Sequence, residues 1–471
     1  MTIFSDVAGI FRAFRKGTKP TSLPTSEPVS SSDNVPTEES ATGQPSLPVL
    51  PPEIWRTILA FLIRRNGRRS IRLEDPFLPL YSTKSSPLDD PDIWQDRTTL
   101  PLVCRAWRSM TAQIVFEYLR IRSIPQLRAF VEHFEEAQDG SLPFQGDWVL
   151  RIDFKIPEPL GDSESLVPRL LRLTPNLMIY VNQNGSDYRP ETQTPSAVLE
   201  ALAEHCGPSL RRLEWSHVGE APAWCDLANL CQHAPNLRTL RLTWIFSYEK
   251  PFRAKMLDLP FLHTLSLGLI PDPVDTIVEL PMTWDPLLNY LASDREMLPS
   301  LRRFDVEVFP TGLRFFKVHG AKIRFFRTTN WSSPPMLPST LPLLSNLDDL
   351  VLTQSTEYVT LPQAHTTLRR ICIAPFMEEH IMVPPRMFNS AVLRPLESVL
   401  LSIDSTKLPH LEEVRLRNTG ILVNLVDEPA WLLKWAKRWS FRGVKFCDMH
   451  GQSFDKIQDP DNDPLLNVVR G

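Results

Sequence analysis

Glycine is scarce in this chain of 471 residues, with 17 in all. Loops that cradle phosphate need glycines in close succession. Neither Gly-x-x-x-x-Gly-Lys-Ser/Thr nor a dinucleotide-binding glycine cluster occurs. Gly-x-Ser-x-Gly and His-Glu-x-x-His are missing too, so serine-hydrolase and zinc-protease arrangements have no counterpart. The six cysteines (Cys104, Cys206, Cys225, Cys231, Cys372 and Cys447) show neither a paired framework nor zinc spacing, and they read as reduced, buried small hydrophobes. Ten histidines are spread singly, and His205 beside Cys206 and His233 near Cys231 fall at predicted helix ends, where capping accounts for them. The run Asp459-Pro460-Asp461-Asn462-Asp463 resembles a calcium loop only in its first positions. It has Pro464 where the loop needs glycine, and no glutamate at the twelfth place. These absences predict a chain that is not an enzyme and holds no metal or cofactor.

Charge of one sign is also lacking. The formal net charge is -4 at pH 7, so no global basic field draws the chain to nucleic acid or anionic lipid. No apolar run approaches a membrane span, and Met1 to Lys19 has no continuous apolar core of a secretory signal. Localisation in the cytoplasm, the nucleus or both is the expectation. Residues 17–46 are rich in Pro, Ser, Thr and Glu and predict a disordered leader within 1–46.

What the chain does contain begins at Leu50-Pro51-Pro52-Glu53-Ile54-Trp55-Arg56-Thr57-Ile58-Leu59-Ala60-Phe61-Leu62. Prolines at a helix entry cost no hydrogen bond, and Ile54, Ile58 and Leu62 recur at helical spacing. Downstream, Val103, Ala106, Trp107 and Met110 follow the same period, and Phe116, Tyr118 and Leu119 add a third apolar cluster. Three short amphipathic helices are too small to bury that much apolar surface among themselves, so a partner must cover the remainder.

These residues closely resemble the F-box. The pattern Leu-Pro-x-Glu-Ile-x-x-x-Ile-Leu-x-x-Leu spans Leu50 to Leu62, Val-Cys-Arg-x-Trp spans Val103 to Trp107, and Phe116 to Leu119 occupies the place of the short third helix. An insert of about thirty residues, 64–99, separates the first two helices, as in fungal F-box proteins. Its arginines (Arg64, Arg65, Arg68, Arg69 and Arg72) read as a solvated loop. The resemblance implies docking on the S-phase-kinase-associated adaptor of cullin–RING ubiquitin ligases. The residues expected at that contact are Leu50, Pro51, Ile54, Ile58, Leu59, Leu62, Val103 and Trp107.

From about residue 165 an apolar-x-x-apolar-x-apolar motif recurs, as in Leu210/Leu213/Trp215, Leu237/Leu240/Leu242, Leu262/Leu265/Leu267 and Leu301/Phe304/Val306. It continues through Leu347/Leu350/Leu352, Leu368/Ile371/Ile373, Leu411/Val414/Leu416 and Phe441/Val444/Phe446, with weaker copies at Leu177/Tyr180 and Ile323/Phe326. Helical patterns lie between, at Ala197–Cys206, Ala223–His233, Pro286–Ala292 and Pro429–Trp439, the last carrying a Trp431/Trp435/Trp439 stripe that predicts packing. A strand and a helix repeated at this period resembles the leucine-rich repeat, without its asparagine ladder: Val218, Ile245, Ile270, Phe309 and Ser355 stand there instead. The expected fold is therefore α/β, an N-terminal three-helix F-box followed by an irregular leucine-rich-repeat solenoid. Its boundaries are a leader at 1–46, the F-box at 47–122, a connecting segment at 123–164, the solenoid at 165–448 and an acidic tail at 449–471.

Strand alternation turns the intervening side chains away from the core. Among them Arg212, Glu214, Arg241, Arg303, Asp305, Arg370 and Arg415 are the expected target-binding residues, because arginine is favoured at protein interfaces. Together the two parts predict a non-catalytic substrate-recognition subunit of a cullin–RING ligase that holds an unknown target protein. The alternative is an interaction scaffold that binds the adaptor and delivers nothing for ubiquitination.

Overall fold

A computed structural model describes residues 50–63, 97, 99–138, 145–157, 165–184, 192–216, 219–246, 257, 259–268, 284–307, 309–329, 336–353, 361–374, 393–416, 429–448 and 451–454. The expected leader, the arginine run of the insert and the Asp459–Asp463 tail lie outside these residues, as do Val218, Ile270 and Ser355. The described residues divide into two compact units between Glu117 and Tyr118.

In the first unit, helix α1 (Pro52–Ile63) opens on Pro51, whose carbonyl accepts from the backbone N–H groups of Ile54 and Trp55. Glu53 in its first turn suits the positive end of the helix dipole. Helix α2 (Arg105–Phe116) starts from Cys104, whose extended backbone lets its Sγ accept from the Trp107 N–H at 3.4 Å. Thr111 ties its hydroxyl back to the Trp107 carbonyl at 2.7 Å.

In the second unit, twelve described strands form one sheet. They are β1 (Tyr118–Ile121), β2 (Arg151–Phe154), β3 (Ile179–Asn182), β5 (Arg212–Trp215), β7 (Thr239–Leu242) and β8 (Thr264–Leu267), followed by β9 (Arg303–Val306), β10 (Phe325–Thr329), β11 (Asp349–Thr353), β12 (Arg370–Ala374), β13 (Glu413–Leu416) and β14 (Lys445–Cys447). Two short strands, β4 (Thr192–Gln193) and β6 (Glu220–Ala221), pair separately. All pairings between these described strands are parallel, and the order in the large sheet follows the chain order without reversal. The described strands therefore offer no crevice of the kind that forms where a doubly wound sheet changes direction.

The register carries Leu119, Ile152, Tyr180, Leu213, Leu240, Leu265 and Phe304 onto one row, and Phe326, Leu350, Ile371, Val414 and Phe446 continue it. All are buried. This row and its neighbour two residues on face the helices. Phe304 meets Phe315 of α8 (Arg314–His319) at 4.8 Å between ring centroids, and it stacks on Phe326 at 6.0 Å. The last strand is covered: Cys447 bridges antiparallel to Ser453, and Phe454 packs on Phe446 at 5.0 Å, which blunts an open sheet edge.

The expected fold is corrected in its architecture. A three-helix F-box followed by an irregular leucine-rich-repeat solenoid is not what the described residues form. They make an α/β fold on one twelve-stranded all-parallel sheet. The cluster expected as the third F-box helix splits, because Phe116 closes α2 while Tyr118–Ile121 form a strand that pairs residue for residue with β2. Residues 123–164, expected only to connect, carry α3 (Ile124–Gln138) and β2, with Leu127, Phe130, Val131 and Phe134 buried. The links between strands also differ in kind. α4 (Leu166–Arg172) is a short α-helix, α5 (Ser196–Ala201) runs into a π-helical turn at Leu202–Cys206, and Leu341–Leu343 is a 3-10 turn. What continues through the unit is the hydrogen-bonded ladder, and the connecting segments are not one repeated element. One motif position also leaves the core: Phe441 is 82% exposed.

Candidate functional site

Two surfaces carry the residues that the sequence singles out. On the first unit, Leu59 is fully buried, Leu50 and Leu62 are half-buried, and Trp107 is half-buried against Trp55 with ring centroids 5.3 Å apart. Those side chains hold the two helices together. Pro51, Ile54, Ile58 and Val103 point to solvent, the last three at 46%, 37% and 60% exposure. Leu102, 57% exposed, joins them and is absent from the expected set. Its signal was present: it lies next to Val103 in an apolar stretch, but a single motif match favours its matched positions over their neighbours. Isolated exposed leucines are ordinary, whereas several large aliphatic groups on so small a unit make it a candidate contact surface.

The second surface is the sheet face turned away from the helices. The alternation expected for Arg212, Glu214, Arg241, Arg303, Asp305, Arg370 and Arg415 holds, since each occupies one of the two outward rows. Their exposure, however, differs greatly along the sheet. Arg212, Glu214, Arg241 and Asp305 are buried. Glu214 accepts from Arg212 Nε at 3.0 Å and from Arg241 Nη1 at 2.7 Å, and Asp305 accepts from Arg303 Nε at 2.9 Å. Burial pushes the Glu214 carboxyl up, yet the two guanidinium groups outweigh it and hold the pKa at about 2. A buried carboxylate clamped by two arginines is a structural tie, and removing one partner leaves a buried charge uncompensated. Arg241 of β7 thereby ties its strand to β5 through Glu214, while Arg212–Glu214 and Arg303–Asp305 pair along single strands.

Farther along the sheet the charges become accessible. Arg370 grips Asp349 through two hydrogen bonds, at 2.5 and 2.6 Å, and keeps 38% of its side chain exposed. Arg415 pairs with Glu413 on its own strand. Asp348, Asp349, Arg369, Arg370 and Glu412 line an open cavity of about 320 Å³ at the leading ends of β11, β12 and β13. Arg369 and Glu412 pair across its rim at 2.9 Å. Asp348, Arg369 and Glu412 lie one residue before the strands, outside the alternating pattern, and were missed for that reason. A further network at the first strands was missed as well: Tyr118 donates its hydroxyl to Asp153, which also accepts from Arg151 Nε at 2.7 Å.

A second apolar cluster, Phe325, Val351 and Cys372, also sits on this outward face, with the Arg303 guanidinium 4.3 Å from the centre of the Phe325 ring. Among the described residues no group of three or more His, Cys, Asp or Glu converges as a metal site would require. The thiols of Cys206 and Cys231 are pushed up to about 12 by burial, which leaves them unreactive near neutrality. No described helix is long and apolar enough to cross a membrane. No protein-family model matches this chain, and no curated protein matches it.

Proposed function

We propose that this protein is a recruitment subunit: its first unit docks on the S-phase-kinase-associated adaptor of a cullin–RING ubiquitin ligase, and its sheet unit holds a target protein. The reading rests on the resemblance of Leu50–Leu62 and Val103–Trp107 to the F-box. The observation that carries it is the exposure of Ile54, Ile58, Leu102 and Val103 on a unit whose own interior already contains Leu59. Burying one such side chain stabilises a complex by roughly 1.5–3 kcal/mol, so a partner covering several of them gains enough to bind stably. The target would meet the accessible end of the outward sheet face, at Arg369, Arg370, Glu412 and Arg415, where charges reach solvent. Catalysis would be positional, raising the local concentration of target near the charged enzyme, with no reacting group from this chain.

The test is co-purification with the adaptor. Ile54→Asp and Val103→Asp place charges on exposed positions, so they should abolish adaptor capture while circular dichroism and the melting temperature stay as in wild type. Undiminished capture by both variants would remove the docking claim. If adaptor capture is intact but target ubiquitination does not depend on residues 47–122, the scaffold alternative is the correct one.

A further inference from the structure

The parallel ladder extends one residue beyond the strands at their leading ends. The backbone N–H groups of Arg238, His263, Arg302 and Arg324 donate in turn to the carbonyls of Arg211, Arg238, His263 and Arg302. The residues just before β5, β7, β8, β9 and β10 are therefore neighbours in one row, and each is an arginine or a histidine. Neighbouring strands are about 4.8 Å apart, so the row from Arg211 to Arg324 runs for about 19 Å. Arg238, Arg302 and Arg324 are exposed, and among the described residues none of the three makes an ion pair or a side-chain hydrogen bond. Arg211 is fixed by its own turn, donating from Nη1 to the carbonyls of Pro208 and Leu210 at 2.9 and 3.0 Å. Burial and then the adjacent Arg238 charge lower its pKa. The acids nearby have other neighbours. Asp294 and Glu296, in the turn before Arg302, act with Arg295 on Lys322, and Asp348, which follows Arg324 in the row, acts on Arg369 and Arg370.

A second feature lies two residues ahead of this row. There Ser209, Asn236, Ser300 and Asn346 donate from their side chains to the carbonyls of Pro175, Pro208, Pro260 and Ala321, at distances between 2.6 and 3.0 Å. These bonds tie each turn to the one before it. Phe261 holds the same place before β8, has no donor to offer, and is 51% exposed. Among the described residues it touches no other ring. A large apolar group thus faces water between the arginines of β7 and β9, a pairing of residue types enriched where proteins meet.

We infer that the leading ends of β5 to β10 bind an extended acidic segment of a partner protein. Its carboxylates meet Arg238, Arg302 and Arg324, and one apolar side chain packs on Phe261. An extended chain rises about 3.3 Å per residue, so the row accommodates about six residues. Each guanidinium can take a carboxylate through two parallel hydrogen bonds. A nucleic-acid strand would stack successive bases on several aromatic rings, whereas Phe261 is the one exposed aromatic on this row among the described residues. In the recruitment reading the segment belongs to the target. The inference rests on that reading for the segment's origin alone, and binding is measured without the adaptor, so either can fail separately.

Binding of the full-length protein to two fluorescein-labelled peptides is followed by anisotropy: one of six glutamates, the other with a leucine between two runs of three glutamates. Both should bind saturably, the leucine peptide more tightly, and affinity should fall by roughly fivefold or more between 50 and 300 mM sodium chloride as screening increases. Arg238→Glu, Arg302→Glu and Arg324→Glu alter exposed, unpaired positions, so each should keep the wild-type melting temperature and weaken binding by roughly three- to fivefold. The triple glutamine variant Arg238→Gln/Arg302→Gln/Arg324→Gln, which adds no repulsion, should lose roughly tenfold. Phe261→Asn supplies the missing donor, so it should melt no lower than wild type and lose the preference for the leucine peptide. Arg128→Glu, an equal charge change at an exposed position of α3, should leave binding unchanged.

No saturable binding of either peptide would overturn the inference, as would wild-type affinity in the triple variant. An equal loss in Arg128→Glu would reduce the effect to general charge attraction. Tighter binding of a ten-residue oligothymidylate, lost in the same arginine variants, would assign the row to nucleic acid instead. A leucine preference kept in Phe261→Asn would remove Phe261 from the site.

Discussion

At the scale of single residues, the most consequential group is Glu214. Its carboxyl, ordinarily near 4.5, is held at about 2 by Arg212 and Arg241 against the opposing effect of burial. The native state therefore binds fewer protons than the unfolded chain between these values. This stabilisation is fully present above about pH 4.5 and is lost as pH falls towards 2, amounting to about 3 kcal/mol. Glu214→Gln should lower stability at pH 7 by about 3 kcal/mol in urea denaturation, since it leaves two buried guanidinium groups short of an anion. A loss below 0.5 kcal/mol would show that the triad is not a tie.

Two buried histidines act in a separate pH window. His319 donates from Nε2 to the Leu291 carbonyl at 2.8 Å, and His365 donates to that of Leu344 at 3.2 Å. Burial lowers both pKa values below the usual 6.5. The unfolded chain takes up protons first as pH falls, so stability is full above 6.5 and declines below it. Urea midpoints should fall from pH 7.5 to 5.5, and the double variant His319→Gln/His365→Gln should show a weaker decline over that range. Equal slopes would assign the pH dependence to other groups.

At the scale of elements, the turns between helix and strand bear the tightest packing. Gly207 follows the π-helical turn, and a Cβ there would lie 2.3 Å from the carbonyl oxygen of His233 and 2.7 Å from that of Ala203. Both obstacles are backbone, so neither can swing aside. Gly207→Ala should cost about 1–3 kcal/mol, read as a lower urea midpoint with an unchanged slope. The motif copies from Leu210 onward were legible because strict alternation and a leading leucine are local signals. The strands β1 and β2 were not: Tyr118–Ile121 follows a helix directly, and its four residues fit a helix or a strand equally until β2 supplies a ladder. Helix α5 was legible in position but not in its change to π geometry, after which Gly207 approaches the end of α6 (Trp224–His233).

At the scale of the whole molecule, the described residues of the second unit begin at Tyr118. A fragment of residues 118–471 should unfold cooperatively on heating. One of residues 166–471 should melt lower and aggregate, because deleting β1 and β2 uncovers the edge of β3 and exposes Tyr180, which packs on Phe154 at 5.7 Å. Equal melting temperatures would place β1 and β2 outside the cooperative sheet.

Motif spacing and periodicity by themselves determined the positions of ten of the twelve described sheet strands and the face to which each side chain turns. These follow from local rules of propensity and alternation, which act over a few residues. Burial was decided only by the tertiary structure. The outward-row charges of β5 to β9 read as a solvated recognition surface, yet Arg212, Arg241 and Asp305 are buried, while Arg370 and Arg415 keep some access to solvent. Enclosure is a property of groups far apart in the chain, and no pattern within one strand carries it. The same holds for the leucines of the first unit. Ile54, Ile58 and Leu59 are alike as apolar groups at helical spacing, and only the packing of α1 against α2 buries Leu59 and leaves the other two facing outward.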